Sequence, residues 1–160
     1  MKTMNKAQVD ELLRNGKPEA EEWITFHDPG LSILTMRKML PDLFHDQDWY
    51  DKEPFATLTE EPQERTLLIH YLPGSLNKTM DEQKAMQPKG QLIPPCRRWV
   101  MAQVLLKLSG WGTEKMSVRF EEKSFDGSWV IAYWDGDQLY FYRWDDVAYD
   151  SLGSPSARDS

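Results

Sequence analysis

Cysteine is almost missing from this chain: Cys96 stands alone among 160 residues. That excludes an internal disulfide framework and any cysteine-rich metal site. Long apolar runs are missing too. The longest, residues 99–106, is interrupted by Gln103 and falls well short of the ~20 residues that span a bilayer. The first eight residues are polar and hold no signal-peptide core. No Gly-x-Ser-x-Gly, Walker or dinucleotide-binding glycine pattern occurs. The expectation is a cytoplasmic protein with no membrane association, no cofactor and no metal.

Nucleic acid is disfavoured as a partner by charge. The net charge is −7, whereas nucleic-acid affinity rests on neutralising phosphates with Lys and Arg. The charge is also unevenly spread: residues 1–64 carry a balance of −7, residues 65–119 a balance of +6, and residues 120–160 a balance of −6. Acid-rich ends of this kind suit a basic protein partner, whose approach they would steer.

Apolar residues make up 40% of the chain and aromatics 12%, a composition that folds rather than stays disordered. Asn5 reads as the N-cap of a short helix carrying Val9, Leu12 and Leu13, ended by Asn15-Gly16. Pro18 opens a second expected helix over residues 19–27, and Asp28-Pro29-Gly30 is a turn. Ser32 caps a third helix, which Pro41 stops. Residues 41–64 read as loop with a turn of helix, packed down by Leu43, Phe44, Trp49, Tyr50 and Phe55. A strand is expected at 65–72, and Thr79 with Glu82 forms a capping box for another short helix. Pro94-Pro95 and Gly110 bracket the clearest helix, about 95–109. Its apolar residues cover most of the circumference, so it belongs at the centre, with Arg97, Arg98, Gln103 and Lys107 at its wet edge. Alternation then predicts strands at about 116–121, 128–134 and 138–144, the last two flanking Asp135-Gly136.

The fold class that follows is α+β: a single domain over residues 1–150 and a flexible polar tail over 151–160. N-terminal helices and the central helix pack on a C-terminal antiparallel meander, joined by the strand at 65–72.

Two groupings carry functional expectations. The aromatic hairpin is the first. Whether its loop has two or four residues, Val130, Ala132, Trp134, Leu139 and Phe141 share one face. Trp129, Ile131, Tyr133, Tyr140 and Tyr142 share the other. The first face is the more aliphatic and suits the core. On the second, either the rings are structural and the N-terminal helices cover them, or Trp129, Tyr133, Tyr140 and Tyr142 form an amphipathic binding platform. The platform reading makes the chain a non-catalytic protein-binding domain, adaptor or inhibitor-like. The alternative is an enzyme whose site assembles from Cys96, a histidine and loop carboxylates. Cys96 begins a helix beside Arg97 and Arg98, a setting that lowers thiol pKa values, but no motif supplies its base. His27, His45 and His70 have no metal spacing among themselves. The segment His45-Asp46-Gln47-Asp48, with Asp51, lacks the glycine and distal glutamate of a calcium loop and reads as a solvated acidic loop.

Overall fold

The computed structural model describes residues 23–110, 116–144 and 151–158. The helix expected from Asn5 lies outside them. Within them the chain is α+β, built as two sheets around one long helix. Strands β1 (Trp23–Asp28) and β2 (Gln63–Leu68) bracket α1 (Ile33–Met39), a 3₁₀ turn at Pro41–Leu43 and α2 (Pro54–Thr57). After β2 come α3 (Met80–Ala85), β3 (Gln91–Leu92) and α4 (Cys96–Leu108). Then follow β4 (Ser117–Lys123), β5 (Trp129–Asp135), β6 (Gln138–Trp144), β7 (Leu152–Gly153) and β8 (Ala157–Arg158). One sheet has the order β1-β2-β8-β3 and the other β6-β5-β4-β7.

Local chemistry sets several of these boundaries. Ser32 Oγ accepts the Thr35 N–H at 3.1 Å at the start of α1. The capping box of α3 is complete: Thr79 Oγ1 accepts from the Glu82 N–H at 3.3 Å, and Glu82 Oε1 accepts from the Thr79 N–H at 2.9 Å. Past α4, Gly110 takes φ +83°, the left-handed conformation that ends a helix without a Cβ penalty.

Four expectations are corrected. Residues 23–27 belong to a strand, not a helix, because Ile24, Phe26 and Asp28 point inward while Trp23, Thr25 and His27 alternate outward. That alternation pairs β1 with β2 in register from Trp23↔Leu68 to Asp28↔Gln63. The strand expected at 65–72 runs instead over Gln63–Leu68, and the chain then bends at residues 69–70, with the Leu72 N–H donating to the Ser154 carbonyl at 2.8 Å. Arg97 and Gln103 are buried, not wet. Gln103 Oε1 accepts the Trp134 indole N–H at 2.9 Å and its amide donates to the Ile69 carbonyl at 3.3 Å, so α4 is bonded to β5 and to the residue that follows β2. Trp99 adds an edge contact with Phe120 of β4 at 5.8 Å between ring centroids.

The fourth correction concerns the C-terminal segment. The stretch read as a flexible tail is a strap joining the two sheets. β7 pairs parallel with β4, and β8 inserts between β2 and β3. Ser154 and Ser156 between them are fully buried yet satisfied. Ser156 Oγ lies 2.7 Å from Gln87 Oε1 and 2.9 Å from Gln91 Oε1, and the Ser154 N–H donates to Ser75 Oγ at 2.9 Å. Gln83 donates to the Ser75 and Leu152 carbonyls at 3.0 and 3.1 Å. Small polar residues can be interior when every group has a partner.

Gly153 is where the strap passes closest to the rest of the fold. A Cβ there would sit 2.4 Å from Cγ and 2.5 Å from Cβ of Tyr71, and neither atom is the free end of a side chain. Gly153→Ala is therefore expected to cost about 1–3 kcal/mol, the range for forcing atoms into a packed interior. Chemical denaturation checks this, and a loss below about 0.5 kcal/mol would show that the strap is not held against Tyr71.

Candidate functional site

The hairpin folds with the parity its alternation predicts. Gln138 faces Asp135, so Gly136 and Asp137 are the central turn residues, and Gly136 has φ +62°. Trp134 therefore opposes Leu139, Tyr133 opposes Tyr140, Ala132 opposes Phe141 and Ile131 opposes Tyr142. Val130, Ala132, Trp134, Leu139 and Phe141 are buried on the inner face.

The outer face holds a ladder of rings. Tyr133 and Tyr140 stack at 5.3 Å between centroids with 12° between planes. His45 stacks on Tyr140 at 4.0 Å and 19°. Because β6 lies between β5 and the loop that carries His45, Tyr140 is the middle ring of three. Tyr142 is 49% exposed. Burial raises the Tyr133 hydroxyl above its ordinary pKa, and Tyr140, Asp135 and Tyr142 add to that. Tyr133, Tyr140 and Tyr142 are thus brought together. Trp129 lies at the far end of the strand, its ring covered by the Lys123 ammonium at 4.6 Å. Ile131, on the same face, is buried. Of the N-terminal helices expected to cover the rings, the first lies outside the described residues, residues 23–27 of the second are strand β1, and the third is α1.

His45 reaches the ladder because residues 44–49 dock on the open edge of β6. Phe44 bridges to Leu139, and the His45 N–H donates to the Leu139 carbonyl at 2.9 Å. Gln47 imitates a neighbouring strand: its amide donates to the Phe141 carbonyl at 3.0 Å and its Oε1 accepts the Phe141 N–H at 3.0 Å. The Trp49 indole N–H also donates to the Phe141 carbonyl, at 3.1 Å. Covering these groups blunts an edge that would otherwise invite strand pairing. A recess of about 400 Å³ opens beside the loop, lined by Arg37, Phe44 and His45 with Asp46, Asp48 and Asp51. Arg37 is engaged there, donating to the Gln47 carbonyl at 2.9 Å and to Asp51 at 2.8 Å. Among the described residues no group of three or more His, Cys, Asp or Glu could hold a metal ion.

The groups named for an enzyme are not gathered. Cys96 is fully buried, and burial pushes its thiol well above its ordinary pKa, with Glu122 adding to the effect. Burial therefore outweighs the helix N-terminus that would have activated the thiol. The charged group acting on it is Glu122, not a histidine. His27 is exposed on β1, His45 belongs to the ladder and His70 follows β2.

Sequence reasoning missed a second polar centre at the start of α4. The Cys96 backbone N–H donates to Glu122 Oε1 at 2.5 Å. Next to it the fully buried Arg97 pairs with the fully buried Asp28 and with Glu60, 3.1 Å from its Nε. Arg98 donates to Glu60 at 2.6 and 2.9 Å, and Arg65 pairs with Asp28 and Glu60, each at 3.4 Å. Burial opposes ionisation of Glu60, but Arg98, Arg97 and Arg65 hold its carboxyl below the usual range. The only sequence signal for this centre was Asp28-Pro29-Gly30, which by itself indicates no more than a turn.

The thiol's environment gives a direct prediction. At pH 8, alkylation of native Cys96 by iodoacetamide should be at least about 100-fold slower than in denaturant, because the buried thiol neither ionises nor meets reagent. Comparable rates by mass spectrometry would show an accessible thiol. The chain matches no protein-family model, no curated protein and no solved structure, so the functional reading rests on this geometry.

Proposed function

We propose that this chain is a non-catalytic protein-binding domain, adaptor or inhibitor-like, which docks a basic protein through Trp129, Tyr133, Tyr140 and Tyr142. The observation that carries the reading is the His45–Tyr140–Tyr133 stack beside the half-exposed Tyr142. Stacked rings are held rigidly, lose little entropy on binding, and present apolar area with polar tips. Exposed carboxylates of Asp42, Asp46, Asp48, Asp135 and Asp137 lie in the same loop and hairpin turn. Arg65, Arg97 and Arg119 of the basic middle segment are buried, so those cations are withdrawn from the surface that a partner meets.

Charge decides among ligands. An aromatic sheet that binds single-stranded nucleic acid adds a positive groove, whereas the groups bordering these rings are mostly acidic. No described helix is long and apolar enough to cross a membrane, and nothing on this face favours an anionic lipid surface. A cytoplasmic setting agrees with a lone buried thiol. The reading requires no cofactor. The enzyme alternative loses support because Cys96 is not among the residues lining the recess that contains His45.

Tyr142→Ala tests the reading. The variant should melt within a few degrees of the parent, since a half-exposed ring contributes little to the core, yet lose at least about tenfold in capture of a partner. Association should also slow as salt is raised, by screening of the acidic rim. Immobilised parent and variant compared on the same extract give the readout. A folded Tyr142→Ala protein that recovers every protein the parent recovers would remove the platform.

A further inference from the structure

Twice in this fold an arginine is held between an aromatic face and an aspartate. The Arg143 guanidinium lies over the Trp49 ring at 4.7 Å and pairs with Asp126 at 3.1 Å. The Arg37 guanidinium lies over the Tyr50 ring at 5.1 Å and pairs with Asp51 at 2.8 Å. A ring and a carboxylate occur together a third time, at Tyr133 and Asp135, which lie two residues apart on the outer face of β5. Burial, then Tyr140, then Asp135 disfavour ionisation of the Tyr133 hydroxyl, so the Asp135 charge is felt at that ring. Among the described residues no cation pairs with Asp135, whereas Asp137 across the turn is engaged by Lys107 at 2.6 Å.

The ring ladder also ends at Tyr133. His45, Tyr140 and Tyr133 follow one another from the docked loop across β6 to β5, nearly parallel. The next residue in that row is Ser117 of β4, the partner of Tyr133. Directly opposed residues stand about 4.5–5.5 Å apart, a distance that suits stacked planes, but serine supplies no plane. Tyr133 and Ser117 are both partly exposed. A planar group laid above Ser117 would continue the stack.

We propose that Tyr133 and Asp135 hold an arginine side chain of the basic partner, an assignment that rests on the docking proposed for this face. The guanidinium lies on the Tyr133 ring as the fourth plane of the ladder, above Ser117, and donates to the Asp135 carboxylate. Guanidinium is flat and weakly hydrated, so it covers a ring while its donors, which lie in its own plane, reach a carboxylate alongside. An ammonium is compact and strongly hydrated and gains less from the same face. A nucleobase is planar too, but it would bring phosphates against Asp135 and Asp137.

The test titrates the full chain with fluorescent hexa-arginine and hexa-lysine at one ionic strength, using the parent and Tyr133→Leu. The two peptides carry equal charge, so general attraction to the acidic surface cancels in their ratio. The parent should bind hexa-arginine at least about fivefold more tightly, the scale of one cation–π contact. Tyr133→Leu should bring the ratio close to one. Equal affinities in the parent, an unchanged ratio in Tyr133→Leu, or tighter binding of a hexathymidine would overturn the proposal. If Tyr133→Leu does not fold, NMR of the parent decides: hexa-arginine should shift the Tyr133 ring signals most, and shifts centred elsewhere would overturn the site. Failure here is separable from failure of the platform. A partner lost by Tyr142→Ala, with no arginine preference in the parent, keeps the platform and removes this arginine site. An arginine preference, with every partner retained by Tyr142→Ala, does the reverse.

Discussion

A guanidinium removed from water must find its counter-charges inside the protein, and for Arg97 they come from two distant parts of the chain. Asp28 ends β1, and Glu60 lies in the loop before β2, so the second residue of α4 binds the edge strand of one sheet and the loop that crosses it. The Leu31 carbonyl accepts a third bond at 3.0 Å. The turn at Asp28-Pro29-Gly30 makes this meeting possible. The Gly30 N–H donates to Asp28 at 2.8 Å, and Gly30 takes φ +79° with the Glu60 carbonyl so close that a Cβ would lie 1.8 Å from it. Only glycine lets the two segments cross there. Asp28 and Glu60 supply two negative charges against the three of Arg65, Arg97 and Arg98. Glu122 is the third carboxylate of the neighbourhood, accepting the Cys96 N–H.

From this centre the helix carries order to the aromatic face. α4 holds β5 through the bond from Trp134 to Gln103 and packs Trp99 on Phe120 of β4. The inner face of the hairpin is then fixed, and alternation turns Tyr133, Tyr140 and Tyr142 outward. The loop bearing His45 is fixed in turn by Gln47 and Trp49 on Phe141, with Tyr50 packed on the Phe141 ring at 4.9 Å. The C-terminal strap closes the structure from the other side by entering both sheets.

What could be read from the sequence was local. The start and stop of α4, the caps at Ser32 and Thr79 and the parity of the hairpin all follow from side chains within a few positions of one another. β1 was misread because Pro18 and the glutamates after it resemble a helix start, whereas the evidence for a strand is its pairing with residues 63–68, some forty positions on. β7 and β8 have two residues each, too few for any periodicity. The serines between them read as solvated because their glutamine partners are not adjacent in sequence. For the same reason Arg97 looked like a wet edge and His45 like part of an acidic loop. Each owes its place to a partner 37 or more residues away.

The Arg97–Asp28 pair is tested most directly by a double-mutant cycle with Arg97→Met and Asp28→Asn, read by chemical denaturation. Each single change takes the nearest counter-charge from a buried group, leaving Arg97 with Glu60 or Asp28 with the more distant Arg65, and should cost about 3–5 kcal/mol. The double variant should lose far less than the sum, because the attraction between the two charges is then lost only once. Single costs below about 1 kcal/mol that simply add would show that the fold does not depend on this pair.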